Sequence, residues 1–140
     1  MARIGNAIRI LLVDDSPGDS RLFAEAAQAA GFQGTIQYAF DGVTALEQLD
    51  SHANDIDIIV SDLNMPRMNG FELLRHIKSR PDTRKIPVVI LSTSHRHSDI
   101  IMCTEAGAAI YLTKPQDIKE YIDITDGIFS FYNNVVCGDV

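Results

Sequence analysis

Asp14 and Asp15 stand side by side at the end of an apolar run, "IRILLV" (8–13), and Asp62 ends another, "IDIIVS" (56–61). Ser92 closes "PVVIL" (87–91), and Lys114 follows "YLT" (111–113). Three acids, a hydroxyl and an amine thus come from four separate chain regions. An acid after a strand usually forms a turn or caps a helix, but the joint pattern asks for more. Clustered carboxylates repel one another and resist ionisation unless they share a cation. A small set of oxygen ligands suits Mg²⁺, with Mn²⁺ as a substitute, because Mg²⁺ keeps waters and bridges carboxylates to phosphoryl oxygens. Lys114 offers a point charge and Ser92 a donor for the same oxygens. The chemistry this points to is transfer of a phosphoryl group onto a carboxylate, with the cation and the lysine offsetting transition-state charge.

The elements that must position these groups follow from the hydrophobic pattern. Short apolar runs at 8–13, 35–39, 56–61, 87–91 and 109–113 predict strands, and the third and fourth are rich in β-branched residues, as strands covered on both faces are. Amphipathic stretches at about 17–30, 42–51, 70–79, 97–106 and 116–135 predict helices between them. Ser16-Pro17-Gly18-Asp19 and Asn69-Gly70-Phe71-Glu72 are helix starts with a cap and an acid three residues on. Asp41 can cap the second helix, and Gly31 and Gly107 sit where the first and fourth should stop. Five alternating strands and helices imply an α/β fold with a parallel sheet and helices on both faces. Ligands bind such a sheet beyond the carboxyl ends of its strands, where the acids lie.

Composition narrows the function. At 140 residues and 46% hydrophobic, the chain is expected to be one domain spanning 1–140, its fifth helix and a short tail occupying about 116–140. A net charge of −7 without a Lys/Arg cluster argues against nucleic acid as a partner. The apolar run after Arg9 is too short for a signal or membrane segment, so no membrane partner and a cytoplasmic location are expected. Cys103 and Cys137 fit no metal or redox spacing and read as reduced thiols. His95 and His97 read as loop residues, since a metal site needs more ligands.

"VDDS" (13–16), "SDLNMPRMNG" (61–70), "VVILSTS" (88–94) and "YLTKP" (111–115) together resemble a response-regulator receiver domain of the chemotaxis-regulator type over nearly the whole length. The resemblance implies the doubly wound, flavodoxin-like strand order 2-1-3-4-5 and Asp62 as phosphoacceptor. It makes Asp15, Asp62 and the Asn64 backbone carbonyl direct metal ligands, with Asp14 acting through water. Ser92 would be the switch hydroxyl, Lys114 the phosphoryl-binding amine and Tyr111 the aromatic switch residue. It also implies a cis bond before Pro115, dephosphorylation tuned at Asn64, Thr93 and Ser94, and a readout face on the fourth helix, fifth strand and fifth helix. Thr93 departs from the small residue usual there, which should narrow access to the acceptor.

The implied function is a single-domain response regulator that accepts phosphate from a sensor histidine kinase. With no effector domain expected, output would pass by docking to a downstream protein or by relay to a histidine phosphotransfer protein. "DDSPGDSRL", "STSH" and "FSFY" (129–132) look similar to stand-alone receivers that partner phytochrome-type kinases. The fifth helix carries two adjoining apolar stripes, and Ile124, Ile128, Phe131 and Val135 form the one expected to make a homodimer or partner face. Rival readings are an aspartyl-phosphate phosphohydrolase, a flavodoxin-like cofactor binder and a pseudo-receiver that works without phosphorylation. Asn64 stands where the hydrolase needs an acid, and the three acids of the first loop would repel a flavin phosphate.

Overall fold

Five parallel strands in the order β2-β1-β3-β4-β5 form one sheet in the computed structural model, which describes residues 8–136. The strands are β1 Arg9–Val13, β2 Thr35–Ala39, β3 Ile58–Ser61, β4 Val88–Ser92 and β5 Ile110–Thr113. The helices are α1 Pro17–Ala29, α2 Gly42–His52, α3 Gly70–Ser79, α4 His97–Glu105 and α5 Ile118–Phe131, which runs into a π-helical turn Tyr132–Val136. Cys137 lies outside the described residues; Cys103 is fully buried and has no disulfide partner among the described residues.

Alternation along each strand sorts side chains onto two cores. Leu11, Val13, Ile59 and Ile90 pack beneath α2, α3 and α4. Ile10, Leu12, Ile58, Val60 and Val89 pack beneath α1 and α5. The central strands β3 and β4 are buried at every residue, which is why their sequence shows no polar alternation.

Side chains fix where the helices begin. Ser16 Oγ accepts the Asp19 N–H at 3.2 Å, and Asp41 accepts the Thr44 N–H at 2.7 Å. Asn69 and Glu72 exchange hydrogen bonds with each other's backbone N–H groups. Gly31 and Gly107 end α1 and α4 at positive φ, 91° and 108°. α5 begins at a cap that its hydrophobic pattern does not show: Asp117 accepts the Glu120 N–H at 2.9 Å.

The fifth helix corrects one expectation. Ile128, placed on the partner face from its stripe, is 1% exposed and belongs to the core with Tyr121, Thr125, Phe129 and Tyr132. Ile124 and Phe131 pack partly against the same core, and of the four residues only Val135 is well exposed. The physical reason is rotation: the Phe129 ring stacks on Phe32 at 4.8 Å and turns Ile128 toward the sheet.

Candidate functional site

Strand ends deliver the site. β1 stops at Val13, and the Asp14 N–H donates to Ala39 O at 3.0 Å, so the chain turns up with Asp14 buried and Asp15 exposed. β3 delivers Asp62, whose N–H donates to Val13 O at 2.8 Å, locking the two acid-bearing ends together. Carboxylate oxygens of Asp14, Asp15 and Asp62 lie within 4.8 Å of one another. β5 brings Lys114, whose N–H donates to Ser92 O at 2.7 Å.

Lys114 Nζ has three N–H donors, and each finds a carboxylate: Asp19 at 2.7 Å, Asp14 at 2.9 Å and Asp62 at 3.1 Å. Burial alone would lower the Lys114 ammonium, but the bonds to Asp19 and Asp14 and the charge of Asp62 outweigh it and hold the proton above the usual lysine range. Burial pushes the Asp14 carboxyl above its ordinary value, partly offset by the Ser16 N–H at 2.9 Å and by Lys114. A buried carboxyl with two acid neighbours is the donor set a divalent cation satisfies, so these residues fit one.

Asp62 is held at both oxygens, Oδ1 by its neighbour Leu63 N–H at 2.7 Å and Oδ2 by Lys114. Gly70 is required behind it: a Cβ there would lie 2.1 Å from Asp62 O. The loop between them turns sharply at Arg67, φ 66°, where Met68 N–H donates to Pro66 O at 2.7 Å, a strained γ-turn. The Arg67 guanidinium pairs with Asp41, tying that turn to the start of α2.

Ser92 is fully buried; its Oγ accepts the Ser94 N–H at 3.1 Å, and among the described residues its own proton has no protein acceptor. Tyr111 is half-buried and donates its O–H to Ser94 O at 3.0 Å. Asn64 and Thr93 are exposed beside the acceptor and Ser92. Ser94 donates its hydroxyl to Asp99 at 2.6 Å.

Two expectations change here. The bond before Pro115 is trans, as are all peptide bonds among the described residues. Trans is the lower-energy isomer for X-Pro, and with it Lys114 already spans to all three carboxylates. Asp19, read as a helix residue only, has a double role: its backbone N–H is capped by Ser16 while its carboxylate holds Lys114. Nothing local signals that contact, since 95 residues separate the partners.

Residues 10–126 match the family described as response regulator receiver domain. Response regulator Rcp1 of Synechocystis sp. is 38% identical over 91% of this chain and 90% of that protein. Among solved structures, the Mn²⁺-bound form of Rcp1 superposes with a TM-score of 0.77 at 33% identity, covering 95% of this chain and 96% of that one. The phosphorylated cyanobacterial phytochrome response regulator RcpA gives 0.81 at 35% identity, covering 89% and 93%.

Proposed function

This chain belongs to the response regulator receiver domain family, and we propose that Asp62 is its phosphoacceptor. The family works in two-component signalling, carrying a phosphoryl group on an aspartate, and the acidic cluster suits the divalent cation that chemistry uses. The observation that carries the assignment is the convergence of Asp14, Asp15 and Asp62 within 4.8 Å, with Lys114 reaching Asp62 at 3.1 Å.

Asp62 attacks the phosphorus of a phosphohistidine; a P–O bond forms, the P–N bond breaks, and the leaving imidazole takes up a proton. Leu63 N–H and Lys114 fix the carboxylate before attack, so little reorganisation is needed. The donor that Lys114 gives Asp62 then serves a phosphoryl oxygen, while Asp14 and Asp19 keep the ammonium in place. Ser92, buried with its proton unspent, turns that proton to a second phosphoryl oxygen. Tyr111 follows through its bond to the Ser94 carbonyl. Asp15, Asp62 and the Asn64 carbonyl would hold a divalent cation, with Asp14 acting through water, and when bound it supplies positive charge to the transferring oxygens.

The donor in this reading is a sensor histidine kinase of phytochrome type, supported by the likeness to RcpA. Output passes in the cytoplasm by docking or relay from the α4–β5–α5 face, where Ile101 and Ile118 are exposed. The same face joins two copies as a homodimer. No helix among the described residues is long and apolar enough to cross a membrane. Phosphotransfer from candidate kinases to the wild type and to Asp62→Asn tests the assignment: label is expected on the first alone, and label surviving the substitution overturns it.

A further inference from the structure

Ser94 does not face solvent as a loop serine ordinarily does; it is the centre of a hydrogen-bonded knot between β4 and α4. Its N–H donates to Ser92 Oγ at 3.1 Å, its carbonyl accepts from Tyr111 at 3.0 Å, and its hydroxyl donates to Asp99 at 2.6 Å. The same hydroxyl accepts the Arg96 N–H at 3.3 Å. Asp99, on the first turn of α4, has a side chain only 12% exposed and also accepts from Arg96 Nε at 3.3 Å. Ser94 therefore cannot rotate without giving up a short charge-assisted bond.

From this we infer that Asp99 is a positioning residue for phosphoryl transfer, acting through Ser94 to hold Ser92. A buried hydroxyl that accepts a bond keeps its own proton free to donate, and the direction of that proton is set by where the accepted bond comes from. Ser94 N–H is that bond, and Asp99 fixes Ser94. Asp99 never touches the reacting atoms. The inference rests on the reading of Asp62 as acceptor and Ser92 as the hydroxyl facing the phosphoryl group.

A competing account makes Asp99 merely the N-terminal brace of α4, where an acid is favourable anyway. The two differ in what happens when Ser92 is removed. In the full chain, labelling rates with a small acyl phosphate donor and Mg²⁺ are measured for Asp99→Ala, Ser94→Ala and the double variant, each also on a Ser92→Ala background. Asp99→Ala and Ser94→Ala are each expected to slow labelling about tenfold, the scale of one hydrogen bond to a charged group. The double variant should be no slower than either single one, and Ser94→Thr, which keeps the hydroxyl, should restore the rate. The Ser94 amide proton should move upfield in the NMR spectrum of Asp99→Ala. On the Ser92→Ala background, Asp99→Ala should change nothing further. An unchanged rate in Asp99→Ala, or an equal loss with Ser92 already gone, overturns the inference. Label surviving Asp62→Asn instead overturns the acceptor assignment beneath it.

Discussion

Single residues in this site carry two duties at once, and that is where reading by type alone ran short. Asp19 looked like a helix acid because its spacing from Ser16 is that of a cap, and its backbone does that job. Where its carboxylate points depends on Lys114, which only the fold brings near. Asp14, Asp15, Asp62, Ser92 and Lys114 were legible because strand ends announce themselves and each carries a chemically apt group. Thr93 yields a prediction at this scale. It is exposed beside Ser92 with a methyl and a hydroxyl that alanine lacks, so Thr93→Ala should speed labelling by small donors severalfold, and equal rates would refute the steric role. Tyr121 yields another. Burial, with the charges of Asp19, Asp14 and Asp62 adding and Lys114 opposing, pushes its phenol up to about 12 from the usual 10.0. A raised pKa means the folded chain binds that proton more tightly, so this stabilisation is complete below pH 10 and lost as pH rises toward about 12. Between pH 10 and about 12 the melting temperature should fall more steeply for wild type than for Tyr121→Phe, which has no phenol to titrate; parallel curves would refute it.

Elements were placed well where local chemistry decides and less well where rotation does. The caps at Ser16, Asp41 and Asn69 set three helix starts that the sequence already states. The face that α5 buries is different: two apolar stripes adjoin, and which meets α1 is settled by Phe32 beneath Phe129, a contact across 97 positions that no periodicity contains. The start of α3 gives the prediction here. Gly70 lies so close to the Asp62 carbonyl that a Cβ would meet it at 2.1 Å. Gly70→Ala must push the helix off the acceptor loop, at a cost of about 3 kcal/mol. A urea midpoint lowered together with slower labelling of Asp62 is the expected result, because the same backbone holds both.

At the scale of the molecule, the two cores flank a sheet whose strand ends all point one way, so the chemistry has one edge and the face proposed for readout lies beside it. Ile101 on α4 and Ile118 on α5 are exposed there. If two copies pair through that face, sedimentation velocity should show a dimer that Ile118→Glu dissolves; a monomer at high concentration, with and without a phosphoryl mimic, removes the pairing.

Lys114 among its carboxylates has one more consequence. Asp14, Asp19 and Asp62 surround a single ammonium and the Asp15 carboxylate lies within 4.8 Å of those of Asp14 and Asp62, leaving three negative charges uncompensated when all four are ionised. An incoming phosphodonor is itself anionic and meets that repulsion at close range, where salt screens it little. In the language of circuits the pocket proposed here is a conjunction: a donor and a divalent cation together are expected to label Asp62, and either one alone is not.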